Sequence, residues 1–541
     1  MANKNELKHP TLENETQMGQ IPINDCKEAI TSTQKNAGSH ALVIGGSIAG
    51  LFAARVLADY FETVTILDHD IFPVTPDHRK GVPQSYHAHG LLATAFPILE
   101  QLFPGIMNDL RASGAATAFN TVPVAIVTPK GLLPLPKNPG ESIAFSRPLL
   151  EWHMRRYVSK RSEVHIIVNT EVIGLSVTQD RTRVIGIKMR ERGLEGRITT
   201  MHADLVVDAS GRHSKAPQWL VELGYEAPPV ETINSNLRYA SRFYAKPEEF
   251  PAEWQSLIVS MRPPHENAGI ILSVDHERWH VTLGGMAGNI PPTDEEGFLQ
   301  FARDLPDPSI YEALRIAQPL TPIRGYGTPE NHFRHFERMH RWPNGFVVTG
   351  DAVCAFNPIY GQGMTVSSLD AMILKRCLQE QQRSPIANFE QHFQQQLAPT
   401  IADAWLLATN QDLRWPPVKL RGANHIPVLR LLHRYLDLVL FSAIVDPEIA
   451  QAYFNVLVLA TPPRSLVRPR IVVHVLKVAF KRAVKRLFWG QEDAGFGLSQ
   501  EALSMLRSRA GKSSKPVSFI ERHERKVRFR TRTMMPDKPT E

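Results

Sequence analysis

Ala41-Leu-Val-Ile-Gly-Gly-Ser-Ile-Ala-Gly50 is the stretch that sets the architecture of this chain. Its four apolar residues predict a short buried strand that stops on glycines. From Ile48 to about Tyr60 apolar residues recur at helical spacing, and Val64-Thr-Ile-Leu67 reads as a second strand. Strand, glycine turn, helix and strand make one βαβ unit with a parallel strand pair. Such a turn brings backbone close enough to touch a pyrophosphate, with the helix N–H groups pointing at it. Gly45 and Gly46 supply the turn, and Gly50 lets helix and strand pack closely. Ser47 stands where a middle glycine is usual, so close approach there must tolerate a small side chain. Asp68 ends the second strand, where a carboxylate can accept ribose hydroxyl hydrogen bonds. Together these features favour nucleotide binding over a glycine kept for packing alone. They do not separate NAD from FAD.

Composition narrows the setting. With 541 residues, 43% hydrophobic and 21% charged, the chain suits a globular protein of two or three domains. Cys26, Cys354 and Cys377 are far apart and form no C-x-x-C pair. That argues against a disulfide framework or a structural zinc site, and for a reducing cytoplasm. The first forty residues lack an apolar signal core, and no run of eighteen apolar residues predicts a spanning helix. The net charge of +7 is uneven, because residues 464–490 hold eight basic side chains and no acid. The body before them is mildly acidic. No nucleic-acid reader motif accompanies the basic region, so a nucleic-acid partner is not expected.

The cofactor is separated some three hundred residues later. Gly345-Phe-Val-Val-Thr-Gly-Asp351 reads as a buried strand ending in Gly-Asp, followed by Asn357-Pro-Ile-Tyr-Gly-Gln-Gly-Met364 and a long helix. An NAD dehydrogenase has no need of this element. A flavin lies extended, so a second segment must meet its ribityl chain and ring. Asp351 can accept from a ribityl hydroxyl, and Gly361 and Gly363 let backbone approach the ring. The helix starting near Gly363 aims its positive end there, where a reduced flavin carries negative charge.

With Arg79-Lys-Gly-Val-Pro-Gln84, Ser146-Arg-Pro-Leu-Leu150 and Asp204-Leu-Val-Val-Asp-Ala-Ser-Gly-Arg212 added, the chain resembles FAD-dependent monooxygenases. That group includes aromatic hydroxylases, squalene epoxidase and the epoxidases of polyether biosynthesis. The resemblance covers about residues 40–390. It implies an α/β fold with a Rossmann-like FAD-binding domain, an antiparallel-sheet substrate domain and a helical C-terminal region. It also implies that Arg79 and Arg147 contact FAD, that backbone near Val172 holds the adenine side, and that Asp351 and Met364 meet the ribityl chain and flavin. The alternative for each arginine is a surface ion pair. The implied chemistry is reduction of FAD, oxygen addition to a C4a-hydroperoxide, and transfer of one oxygen to a small apolar substrate by epoxidation or hydroxylation.

One departure bears on the electron source. Where the hydroxylases carry an Asp-Gly pair, this chain has Ser210-Gly211, with Asp208 two residues earlier. Direct use of NAD(P)H and a separate reductase are therefore both open. A flavin-dependent reductase of an isoprenoid-like substrate, or a flavin-bearing redox protein without oxygen insertion, are the alternative functions. Trp415-Pro-Pro does not match the W-x-W-x-I-P element of halogenases, which demotes halogenation. No nucleophile is demanded of the protein. His89 is a weak acid–base candidate near the flavin, and His87 with His89 lacks a third ligand for a metal. Phe243, Tyr244, Trp279 and Met286 either cover the substrate pocket or form ordinary core.

The expected division is a disordered leader (1–38), a discontinuous FAD-binding domain (39–112, 142–215 and 325–390), and a substrate domain (113–141 and 216–324). A helical region (391–506) and a basic tail (507–541) complete it. Within the helical region, residues 469–490 pattern as a basic amphipathic helix. It either docks on the FAD-binding domain or makes peripheral contact with an anionic membrane.

Overall fold

The strand Gly38–Ile44 is the centre of a five-stranded sheet. On one side lie Leu205–Asp208 and then Phe346–Val348; on the other lie Phe61–Leu67 and then Val164–Ile167. Every neighbour is parallel, with Ala41 opposite Val64 and Leu205, and Val206 opposite Phe346. Parallel strands covered on both faces read as continuous apolar runs, and Ala41, Leu42, Val43, Val206, Val207 and Val347 are fully buried. The helix Ile48–Leu57 packs against the helices Arg147–Ser159 and Gly363–Arg383. This computed structural model describes residues 37–118, 124–134, 142–193, 197–248, 254–327, 330–423 and 429–489. All of them belong to one unit, Lys35–Glu541.

An antiparallel three-stranded sheet, Thr170–Val177, Val184–Glu191 and Thr199–His202, adjoins the parallel one. The strand Arg278–Gly285 pairs antiparallel with Arg238–Ala245 and Asn267–Val274. These sit in an eight-stranded sheet that also contains one parallel pair, Ser256–Val259 with Val124–Thr128. The helices Glu295–Arg303 and Ser309–Ile316 cover it, forming a second core around Trp254, Trp279, Phe298 and Leu283. A third core joins the helices Leu429–Val445, Pro447–Leu457 and Pro469–Trp489. The fold is thus mixed α/β, with a parallel sheet, antiparallel sheets and a helical C-terminal part.

Two boundaries differ from the sequence reading. The first strand begins at Gly38 rather than Ala41, because the Asp204 carboxylate accepts the Ser39 and His40 N–H groups (2.7 and 3.0 Å) and the Ser39 hydroxyl. The C-terminal part also contributes a strand, Leu420–Arg421, which pairs with Val230–Ile233. Residues 1–36 of the expected leader, residues 490–506 and the basic tail lie outside the described residues. No described helix is long and apolar enough to cross a membrane.

Candidate functional site

The glycine turn admits almost no substitution. A Cβ on Gly50 would lie 1.8 Å from the Gly45 carbonyl oxygen, and Gly45 itself has φ +99° with Ala209 pressed against it. Ser47 begins the helix Ile48–Leu57 without capping it through its side chain, and no acidic residue occupies the first turn. The leading N–H groups of that helix thus donate no bond to the Ser47 side chain. The Ser47 hydroxyl instead donates to Glu151 (2.9 Å) and accepts from Arg147 (3.0 Å).

Asp68 is where the sequence reading put it, but its carboxylate is occupied. One oxygen accepts the Gly46 N–H at 2.8 Å; the other accepts the Asp70 N–H at 2.8 Å and faces Arg79 at 3.2 Å. Arg79 is enclosed by three carboxylates, Asp68, Asp70 and Glu151, so its ion pairs are buried rather than on the surface. Arg147 differs. Its guanidinium reaches Ser47, approaches His89 Nε2 at 3.4 Å and stands 3.8 Å from Glu151, while its buried Nε has no hydrogen-bond partner. Burial lowers its pKa against the pull of Glu151 and Asp351. A buried guanidinium edge left unmade costs free energy unless an acceptor meets it. Val172 lies in the strand whose first residue, Thr170, donates to the Asp68 carbonyl (3.0 Å), beside a bulge between Val172 and Gly174.

The second segment meets the first directly. Gly350 has φ +63°, and a Cβ there would fall 2.7 Å from the Ala49 Cβ of the glycine-loop helix. The turn is held by Asp370, which accepts the Gly350 N–H (3.0 Å) and the Thr349 hydroxyl (3.1 Å). Burial raises Asp370 to about 7 and also raises Asp351, against the opposing charges of Arg212 and Arg147. Gly363 sits beside Asp351, and Gly361 takes the left-handed conformation that ends the turn Pro358–Tyr360. Met364 is buried in the first turn of the helix Gly363–Arg383, which carries no acidic residue there.

The wall opposite is aromatic and rich in uncharged histidine. His87 bonds Ser241 (2.7 Å) and packs on Tyr239 and Tyr326. His89 bonds the His87 carbonyl (2.8 Å), and His280 bonds the Tyr86 carbonyl (3.0 Å) while stacking on Phe243. Burial pushes His87 down to about 4 and His89 and His280 to about 3, with Arg147 adding to the shift at His89. At neutral pH all three are neutral. Tyr244 and Trp279 belong instead to the second core, and Met286 to the core around the parallel sheet.

The structure therefore gathers Gly45, Gly46, Ser47, Gly50, Asp68, Arg79, Arg147 and His89 into one connected cluster, with Asp351 coupled to it through Arg147. Three buried carboxylates bonded to this site were not singled out in the sequence reading. Glu151 joins Ser47, Arg79, Arg147 and Arg155; its signal was the four-residue spacing Arg147, Glu151, Arg155 on one helix face. Asp370 was one acid in an otherwise apolar helical face. Asp412, fully buried, accepts from Tyr360 (2.7 Å) and Asn357 (2.9 Å), and burial raises it to about 6. Nothing in its local sequence marks it, because its partners come from the Asn357–Met364 loop. His87 and His89 fall in no metal-ligand group, but Asp68, His69 and Asp70 bring their ligand atoms within 4.8 Å of one another, as do Cys377, Glu380 and His392. In the first group both aspartates already hold Arg79.

The residues present fit a flavin dinucleotide. The glycine turn takes no Cβ, the helix end carries no side-chain cap, and Arg147 keeps a buried donor without an acceptor, which suits a diphosphate. The comparisons agree. The profile of the FAD binding domain family matches residues 39–384. Protein Rv3254 of Mycobacterium tuberculosis is 33% identical over 395 residues, 71% of this chain and 82% of that protein. Among solved structures, a flavoprotein/dehydrogenase from Cytophaga hutchinsonii aligns with TM-score 0.57 at 15% identity, over 83% of this chain and all of that one. The flavin-dependent brominase Bmp2 aligns with TM-score 0.57 at 12% identity, over 83% and 100%. PqsL from Pseudomonas aeruginosa, titled "a probable FAD-dependent monooxygenase", aligns with TM-score 0.52 at 16%, over 70% and 98%. At such identities the solved structures speak for the fold alone.

The chain belongs to the FAD binding domain family. It is a flavin-dependent oxidoreductase, and FAD is its cofactor.

Proposed function

We propose that the protein is an FAD-dependent monooxygenase that epoxidises or hydroxylates a small apolar organic substrate. The observation that carries this reading is the aromatic cluster of Tyr239, Tyr326 and Phe243 with neutral His87 and His280, of which Tyr239 lies beside Ile359 of the Asn357–Met364 loop. The flavin supplies the oxygen chemistry when bound. The chain's part is to hold it and to keep water from the reacting atoms. Glycine-loop backbone and Arg147 would hold the diphosphate, and Asp351 a ribityl hydroxyl. The Gly363 helix end would hold negative charge on the reduced ring. Histidines kept neutral add hydrogen bonding without a charge that would draw in water.

The Asp208 segment bears on the electron source. Asp208 accepts from the Ser210 N–H (2.9 Å) and the Ser214 hydroxyl (2.5 Å), and Arg212 holds Asn331 and the Phe356 carbonyl. These side chains are spent within the protein, which favours delivery by a separate reductase over direct use of NAD(P)H. Anaerobic mixing with NADPH alone tests it: the flavin is expected to keep its colour, and rapid bleaching would overturn this part.

For the reaction itself, the reduced protein is mixed with oxygen and a panel of polyene and aromatic substrates. Mass spectrometry is expected to find a product heavier by one oxygen atom. Quantitative release of hydrogen peroxide with every substrate would instead mark a redox protein without oxygen insertion, and a product gaining two hydrogens would mark a reductase.

A further inference from the structure

The helix Pro469–Trp489 has two apolar sides. Its inner side, Ile471, Val475 and Val478, packs on Val439, Leu440 and Ala443 of the preceding helix and on Leu466. The opposite side carries Val473, Leu476, Phe480 and Val484, which are 61%, 53%, 71% and 37% exposed. At 3.6 residues per turn these four fall on one narrow line, three turns long. Lys477 and Lys481 stand exposed beside that line.

The helix is fixed rather than loosely attached. Arg470 pairs with Glu448 (2.7 Å), His474 lies within ion-pair distance of Asp446 and Glu448, and the Arg482 guanidinium covers the Phe441 ring at 3.8 Å. The outer stripe is therefore held facing outward by the inner contacts. Its neighbour repeats the pattern: Leu431, Leu438 and Val445, seven residues apart, are all exposed on the helix Leu429–Val445. Single exposed apolar residues are ordinary, but aligned rows of them mark an interaction surface.

We propose that this face lies on an anionic lipid surface, its apolar stripe at the headgroup boundary and its lysines on lipid phosphates. Charge selects the occupant. Residues 464–490 hold eight basic side chains and no acid, which complements anionic lipid. A second copy docked through the same face would set Lys477 and Lys481 against like charge, since a two-fold contact brings a patch onto itself. The mode is lying on the surface, not crossing it, because no described helix qualifies as a span. The inner side docks on the neighbouring C-terminal helices rather than on the FAD-binding domain that the sequence reading named.

The test uses the full-length protein and two vesicle preparations, phosphatidylcholine alone and phosphatidylcholine doped with phosphatidylglycerol. Co-sedimentation is expected with the anionic vesicles only, and it should weaken as salt rises and screening shortens. The double variant Leu476→Glu/Phe480→Glu should lose about tenfold or more of that binding. Lys477→Glu/Lys481→Glu should lose about tenfold and most of its salt sensitivity. Flavin content and melting temperature, unchanged in both variants, show that the fold is intact. Failure of the wild-type protein to bind anionic vesicles overturns the proposal. So does binding indifferent to Leu476→Glu/Phe480→Glu. A concentration-dependent dimer abolished by that variant, without vesicle binding, would make a second copy the occupant and overturn it equally.

Discussion

Gly50 and Arg147 would serve the proposed cofactor cradle in opposite ways, one by what it lacks and one by what it offers. Alanine at Gly50 must displace the Gly45 carbonyl, 1.8 Å from the new Cβ, and overpacking of this kind costs roughly 1–3 kcal/mol. We expect Gly50→Ala to purify with a much lower flavin-to-protein ratio, measured by absorbance; full flavin content would mean the turn yields more easily than its packing implies. Arg147→Ala leaves the turn intact but removes the buried donor. Hydrogen bonds to charged groups contribute about 1.5–3 kcal/mol, so FAD affinity should fall roughly tenfold to a hundredfold, read by fluorescence titration of the apoprotein. An affinity within twofold of wild type would place the diphosphate elsewhere.

The helix Arg147–Ser159 sends one buried carboxylate to the glycine turn and to Arg79. Glu151 compensates Arg79 and approaches Arg147 and Arg155 at 3.8 Å. Removing a partner from a buried pair costs about 3–5 kcal/mol, so Glu151→Gln should lower the melting temperature markedly, whereas Glu171→Gln, an exposed pair with Arg190, should barely move it. Equal shifts would deny Glu151 its place as a hub. This element also shows what the sequence could tell. The βαβ unit and the Gly350-Asp351 turn were legible because each rests on local periodicity and glycine spacing. Arg79 was found, but its surroundings were not, since Asp70 and Glu151 reach it only through packing of separate elements. Asp412 carried no readable role for the same reason. The outward stripe on Pro469–Trp489 needed the inner face to be known first, because a sequence pattern alone cannot say which side of a two-sided helix is docked.

Across the whole molecule, buried ionisable groups pull stability in opposite directions as pH falls. His280 has a folded pKa of about 3 against an unfolded value near ~6.5. Between those values only the unfolded chain holds the proton, so the contribution of His280 is present above ~6.5 and declines below it. Asp370 and Asp412, raised to about 7 and about 6, act the other way, binding a proton first in the folded state. Comparing His280→Gln with wild type isolates the histidine. From pH 6.5 to 5 the variant should lose about 2 kcal/mol less stability than wild type, measured by denaturant unfolding at each pH. Parallel curves would show that His280 protonates in the folded protein.

The pairing of Val206 with Phe346 also has a consequence for synthesis. The strand that completes the parallel sheet emerges from the ribosome long after its neighbours, and the Gly350 turn that abuts Ala49 emerges later still. Until then the nascent chain holds a glycine loop and a sheet edge with nothing beside them, a state prone to mispairing. If that segment meets the cofactor as proposed, the chain gains its colour only once residues beyond Asp351 have been made.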